Sequence, residues 1–434
     1  MKTQEYSVPE ISERFKEKMP SSLRMAMLEY DKRKDKDVQS INLAIGNVPL
    51  PMHPAMIERF RNLNKGFPDN SVMYTSSGGT DEVKQSFRNI IASSGFDSDK
   101  LSVLTTDGGS MAMELAIVGM CGTSGSTHKP LMLIDPAYTN YKEFASRLGR
   151  STVSVQRMLQ ENGEFTLPDM GEIEHSIKRY KPGGMVVIPY DNPTGQFFDM
   201  DRMIELAQLC VDNNIWMLSD EAYRELHYTG GKVSSIWGIT DKDIRGIEGR
   251  RLSIESASKV WNACGIRIGA LVSDNELFVQ KALAEYTTNL CPNALGQYIF
   301  GALAQVNHKE LQQWFGKQRA YYKPLIRGFI SDLKKEMPGI IVSRPDAAIY
   351  SVIDFRNVAK DFDAGEFAMY CAKEGEVDVN GSKYTFLAAP MSGFYTDADA
   401  GRTQVRVAYV KTPEEMKEAA YVLGQLFKQF NPGR

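Results

Sequence analysis

The chain has 434 residues, 51 Lys and Arg against 54 Asp and Glu, and a net charge of −3, with 42% hydrophobic residues. That length exceeds one ordinary core, so about two domains are expected, and the near-neutral balance argues against a nucleic-acid or anionic-membrane partner. No apolar run reaches bilayer-spanning length, and the opening MKTQEYSVPEISERFKEKMP is too polar for a signal peptide, so a cytoplasmic location is expected.

In chain order, the polar residues before about Pro20 read as an arm, and the charge run EYDKRKDKD (29–37) reads as a solvated helix end. Ser76, Ser77, Gly78 and Gly79 make a loop before Thr80, which is suited to start a helix. DGGSMAMELAIVGM (107–120) is a glycine turn entering a buried helix, and a helix N-terminus of this kind also suits a phosphate. Short apolar runs then alternate with helical spacing: LMLI (131–134), GMVVIP (184–189), IWMLS (215–219), LSI (252–254) and IGALVS (268–273), separated by stretches such as DMDRMIELAQLCVDNN. Such alternation predicts an α/β fold with a mostly parallel sheet covered by helices, whose ligands bind beyond the carboxyl ends of the strands.

Those ends carry the polar chemistry. LMLI runs into Asp135, Pro136, Ala137 and Tyr138; GMVVIP into Tyr190 to Gly195; IWMLS into Asp220 to Tyr223; LSI into SASK at 256–259. Each stretch alone has a plainer reading as a turn or a helix start. Their shared position at strand ends is what brings them to one crevice. A lone lysine is by default a surface charge. Lys259, however, sits in a turn between two predicted strands, where partial desolvation lowers an amine's pKa and frees it to attack carbonyls. Ser256, Ser258 and Arg267 beside it suit a phosphate ester, so the segment suggests a phosphorylated aldehyde held as a Schiff base.

Farther on, Leu311, Trp314, Phe315, Tyr322, Leu325, Phe329 and Leu333 form a stripe at helical spacing. Arg406 lies in the apolar stretch QVRVAYV, where a strand arginine is solvent-facing by default. The five cysteines (Cys121, Cys210, Cys264, Cys291, Cys371) show no CxxC spacing, and the histidines (His53, His128, His175, His227, His308) stand far apart, so neither a disulfide framework nor a metal site is expected.

The segment SASKVWNACGIRIG (256–269), with INLAIGN (41–47), MYTSSGGTDEVKQSF, the DGGSMA loop and VRVAYV, resembles the class I/II pyridoxal phosphate-dependent aminotransferases of fold type I. The resemblance extends over most of the chain. It implies an N-terminal arm and small-domain segment over 1–46, a large cofactor domain over 47–306 and a small α/β C-terminal domain over 307–434. It further implies that Lys259 forms the Schiff base and moves the proton, that Asp220 pairs with the pyridine nitrogen, and that Asn192 and Tyr223 bond the ring 3′-oxygen. Tyr138 would stack on the ring. Gly109, Ser110, Met111, Ser256, Ser258 and Arg267 would surround the phosphate, while Arg406, with Gly46 and Asn192, would receive the substrate. Tyr74 would reach the phosphate of a neighbouring subunit, making a homodimer with shared sites.

Two departures stand out. Val83-Lys84 replaces the family's common Leu-Arg, and Asp346 to Tyr350 replaces its usual glycine and phenylalanine, the latter where substrate fit could change. The expected activity is amino transfer between an amino acid and a 2-oxo acid. A C–S lyase on the same fold would keep the same cofactor set, and a regulatory protein with such a domain is the alternative from another class. No G-x-G-x-x-G follows the first strand, which leaves a nicotinamide-binding sheet without support. The amino donor is not legible in these residues.

Overall fold

The apolar runs between residues 102 and 273 serve two cores at once. Met132 and Ile134 belong to one buried cluster and Leu131 and Leu133 to the other; Met185 and Val187 oppose Val186 and Ile188 in the same way. That period-two division is what a sheet covered on both faces requires. In the computed structural model, which describes residues 10–123, 125, 129–397 and 399–430, these runs form a seven-stranded sheet. Its order is Ser102–Thr106, Gly269–Ser273, Arg251–Ser256, Trp216–Asp220, Gly184–Val187, Leu131–Asp135, Thr152–Gln156. Only Gly269–Ser273 runs antiparallel to its neighbours. The expected α/β architecture is therefore present, with every strand but Gly269–Ser273 delivering its carboxyl end to one side.

The covering helices follow from their spacing. Met203, Leu206, Ala207 and Cys210 are the buried residues of helix Met200–Asp212, whose first turn is capped by Asp199 accepting from the Arg202 amide. Helix Gly108–Cys121 buries residues almost all round. Thr80 caps helix Asp81–Ser93, accepting from the Val83 amide. The 29-residue helix His308–Glu336 buries the whole apolar stripe read from the sequence.

Two smaller sheets lie outside the large one. Tyr350–Asp354 and Gln404–Ala408 pair antiparallel, with Ile341–Val342 and Ala389–Pro390 at the edges. Val38–Asn42 pairs in parallel with Ser382–Leu387, joining an early segment to a late one. The charge run at 29–37 is not wholly solvated, as its composition suggests. Arg33 is buried, its Nη1 donating to the carbonyls of Cys371 and Gly375 and its Nη2 pairing with Asp35. Charge spacing carries no sign of that inward turn. Of the expected arm, residues from Glu10 onward are described: helix Glu13–Glu17 lies against helix Asn140–Arg147 through Arg14 Nη1 to the Ser146 carbonyl and the Lys18–Glu143 ion pair. His128 lies outside the described residues. Among the described residues no helix is long and apolar enough to cross a membrane.

Candidate active site

A cavity of about 470 Å³ opens at the carboxyl ends of the parallel strands. One end of it is built for an anion. The helix starting at Gly108 points its free amides into the cavity, and Gly108 has φ +78°. A Cβ there would stand 2.4 Å from Arg267 Nη2, so glycine is what lets the guanidinium lie against the helix start. Gly109, Ser110, Ser256, Ser258 and Arg267 all line this end. The Ser258 amide donates to Ser256 Oγ (3.0 Å), and Arg267, itself in the left-handed region at φ +53°, is anchored by Nη1 donating to the Cys264 carbonyl (2.9 Å).

Asp220 closes strand Trp216–Asp220 and faces the middle of the cavity. Burial pushes its carboxyl above the usual range; hydrogen bonds from the Tyr141 hydroxyl (2.5 Å) and the Ala222 amide (3.0 Å) oppose that rise. No arginine or lysine pairs with it among the described residues. Tyr138 presents its ring to the same space, edge-on to Tyr141 at 5.5 Å, with its hydroxyl accepting from Asn140 Nδ2; burial pushes that phenol up to about 12.

Lys259 Nζ donates to the Gly46 carbonyl at 2.5 Å. A Cβ on Gly46 would come within 2.2 Å of the Tyr350 hydroxyl and 3.1 Å of Lys259 Nζ, so only glycine lets the chain pass this close to both groups. Tyr223 and Tyr350 share a hydrogen bond of 2.7 Å. Burial drives the Tyr223 phenol well up, whereas in Tyr350 the positive fields of Lys259 and Arg406 outweigh burial and hold the phenol below its ordinary value.

Arg406 is buried, contrary to the default for a strand arginine. Val352 is its partner across the antiparallel pair, which puts Arg406 and Tyr350, two residues along, on one face of the sheet. The guanidinium lies 4.4 Å from the Tyr350 ring centroid and 5.1 Å from that of Phe394. Nη1 donates to Asn192 Oδ1 (3.1 Å) and Nη2 to the Ala44 carbonyl (2.5 Å), while Nε is buried without a partner among the described residues.

Of the residues singled out from sequence, Gly46, Gly109, Ser110, Tyr138, Asn192, Asp220, Tyr223, Ser256, Ser258, Lys259, Arg267 and Arg406 line this one cavity. Met111 stands outside the lining, its sulfur accepting from Asn289 Nδ2 at 3.6 Å, and Met113 is the methionine that reaches it. Tyr74 also stands apart, 77% exposed on the surface of the chain. Tyr141 and Tyr350 line the cavity as well, and neither stands out by itself in the sequence. Tyr350 ends the Asp346 to Tyr350 departure, and Tyr141 stands three residues past Tyr138 in the first turn of helix Asn140–Arg147.

The donor set fits pyridoxal phosphate: a half-buried carboxylate without a cation, a glycine-cleared anion cradle, an aromatic wall and an amine directed into the same space. The comparisons agree. Residues 38–423 match the family model for aminotransferase class I and II. An aspartate aminotransferase of Sulfurisphaera tokodaii is 28% identical over 73% of this chain and 74% of its own, and one of Sulfolobus acidocaldarius is 24% identical over 92% of each. Among solved structures, the N-succinyldiaminopimelate aminotransferase of Mycobacterium tuberculosis superposes with a TM-score of 0.80 over 96% of this chain and 100% of its own at 20% identity, and the kynurenine aminotransferase of Pyrococcus horikoshii with 0.77 over 98% of each at 19%. The chain belongs to the aminotransferase class I and II family and is a pyridoxal phosphate-dependent enzyme that transfers an amino group between an amino acid and a 2-oxo acid.

Proposed function

We propose that Lys259 is the residue that carries the chemistry, and that the preferred amino donor bears a second carboxylate. The observation that supports the first part is the convergence of Lys259, Asp220, Arg267 and Arg406 on one cavity. Bound there, pyridoxal phosphate supplies an aldehyde for amines and a ring that takes up electrons from the substrate carbon. Arg267, Ser256, Ser258 and the amides of Gly109 and Ser110 hold its phosphate. Asp220 holds a proton on the ring nitrogen, the Tyr141 bond keeping the carboxylate in place. Asn192 and Tyr223 bond the ring hydroxyl, and Tyr138 covers one face. Arg406 grips the substrate α-carboxylate through its two-pronged fork, with Asn192 and the Ala44 carbonyl fixing its orientation. Lys259, whose Nζ lines the same cavity, would carry the substrate proton.

Charge accounting supports the second part. With Arg267 committed to the phosphate and Arg406 to the α-carboxylate, Arg24 and Lys142 remain on the same cavity lining. Arg24 has no ion pair among the described residues, and Lys142 Nζ has only the Asp135 carboxylate, 3.9 Å away. The two archaeal relatives named aspartate aminotransferase point the same way. Tyr74 reaches the phosphate of a second subunit in this reading, which makes the working unit a two-fold dimer.

Borohydride reduction of the yellow holoenzyme, followed by peptide mass analysis, should fix the cofactor to Lys259 alone; label on another lysine refutes its role. A panel of donors should favour aspartate and glutamate over leucine and phenylalanine. Arg24→Ala should raise KM for the acidic donors only, and equal effects on both kinds would remove the second carboxylate from the reading.

A further inference from the structure

Immediately beyond strand Thr152–Gln156, at the edge of the large sheet, stands an arginine that no part of the chemistry above uses. Arg157 is 1% exposed, the largest of the fully buried side chains. Burying a guanidinium costs several kcal/mol unless its donors are satisfied. Here all three nitrogens are engaged. Nε donates to the Asp135 carbonyl (3.4 Å), Nη2 to the carbonyls of Ile134 (3.3 Å) and Pro136 (3.0 Å) and to Asp191 Oδ2 (3.0 Å), and Nη1 to Gln196 Oε1 (2.9 Å).

These partners fall into two groups. The carbonyls of residues 134–136 are the end of strand Leu131–Asp135 as it turns toward Tyr138. Asp191 and Gln196 bracket the loop that presents Asn192, and Asp191 is tied further into it by the Thr194 hydroxyl and amide. From that loop the Gly195 carbonyl accepts from the amides of Asp346 and Ala347, just ahead of Tyr350, and Asn192 Oδ1 accepts from Arg406. One planar fork therefore joins the loop of the ring-stacking tyrosine to the loop of the ring-bonding asparagine.

We propose that the Arg157–Asp191 pair is a positioning device: it sets the separation of the Tyr138 and Asn192 loops, and through Asn192 it aims Arg406. The proposal rests on the roles given above to Tyr138, Asn192 and Arg406. A buried ion pair contributes little net stability against a well-packed apolar pair. Its contribution is directional, because a guanidinium bonds in fixed directions that an ammonium does not reproduce. Burial pushes the Asp191 carboxyl up and Arg157 opposes this, so removal of the arginine alone leaves a carboxyl that takes up a proton.

The test uses holoenzyme of wild type, Arg157→Lys, Asp191→Asn, Arg157→Met and the double variant Arg157→Met/Asp191→Asn. Four quantities are measured: pyridoxal phosphate affinity, the pH midpoint of the holoenzyme absorbance band, KM and kcat for the amino donor, and the urea midpoint. In Arg157→Lys, cofactor affinity should fall and donor KM should rise by roughly fivefold or more, with kcat less affected, and the absorbance midpoint should move by about half a unit. The double variant should recover the stability lost in Arg157→Met and still show the shifted midpoint and raised KM. Wild-type midpoint, affinity and KM in Arg157→Lys overturn the proposal, as does a double variant that regains all three together with its stability. Should Arg157→Lys not fold, Asp191→Asn decides by the same three readings. Absence of the absorbance band in wild type would instead count against Lys259 as the attachment site, and wild-type behaviour of the variants against this pair.

Discussion

The hydroxyls of Tyr350 and Tyr223 stand 2.7 Å apart, and the ring of the former carries the Arg406 guanidinium at 4.4 Å. Tyr350 therefore touches the arginine expected to hold substrate and the tyrosine expected to bond the cofactor. Burial raises its phenol, but Lys259 and Arg406 lower it further, so the free enzyme loses this proton below the ordinary phenol range. A phenolate under the Arg406 guanidinium would offset part of its charge and weaken its attraction for an incoming carboxylate. Donor KM should rise as pH climbs toward 10, and Tyr350→Phe should abolish that rise while losing about 1 kcal/mol in kcat/KM through the unpartnered Tyr223 hydroxyl. An unchanged alkaline rise of KM in Tyr350→Phe would show that the phenol is not its source.

The Tyr141 hydroxyl is the foremost of the contacts that lower the Asp220 carboxyl against burial. Tyr141→Phe removes it, so the Asp220 carboxyl moves further up and takes a proton more readily. In the proposed role, a protonated Asp220 would no longer hold a charge on the ring nitrogen. Activity in Tyr141→Phe should drop roughly tenfold, the scale of one hydrogen bond to a charged group, and the loss should deepen on the acid side, where the raised carboxyl takes its proton first. A loss of the same size at every pH would mean that the phenol serves packing alone.

His53 makes a prediction about stability. It caps helix Pro54–Arg61 with Nδ1 accepting from the Ala55 amide, and its ring packs edge-on against Trp261 and Trp314. Burial lowers its pKa from 6.5 to about 4. The unfolded chain therefore binds a proton at this residue between those values and the folded chain does not, so stability is full above 6.5 and falls with pH toward 4. The linkage amounts to about 2 kcal/mol lost at pH 5. His53→Asn keeps a capping acceptor and removes the titration. Urea midpoints at pH 7 and pH 5 should lie closer together in the variant, and an equal gap in both proteins would assign the acid loss to other groups.

The sheet and half of the site are legible because their signals are local. Runs such as LMLI and IWMLS divide their residues between two faces, and the polar residues following each run mark a carboxyl end; Lys259, Asp220 and Asn192 are found that way. Tyr350, Tyr141 and Arg157 are not. Tyr350 meets Tyr223 across 127 positions of sequence, and Arg157 meets Asp191 across 34. Pairings at such range depend on which strands lie side by side. Arg33 and Arg406 went inward for the same reason: their carbonyl partners at Cys371, Gly375 and Ala44 belong to distant segments, and an arginine's surroundings are not written in its neighbours.

Tyr74 is 77% exposed and reaches no part of its own chain's cavity, with Val72 and Met73 also exposed beside it. Three consecutive large apolar side chains left in solvent suit an interface better than a free surface. If Tyr74 donates to the phosphate held in a second subunit, Tyr74→Ala should weaken cofactor binding by roughly ten- to a hundredfold, the range for a hydrogen bond to a charged group. Lys259→Ala should be inactive at any cofactor concentration. Assayed at low pyridoxal phosphate, each variant alone is then nearly silent. A mixed dimer of the two has one site with both defects and one with neither, because the Tyr74→Ala chain keeps its lysine and receives the intact tyrosine of its partner. Unfolding and refolding the variants together in equal amounts, so that half the dimers are mixed, should restore about a quarter of wild-type activity, as two-fold symmetry requires. Activity no greater than the sum of the separate variants would confine each site to a single chain.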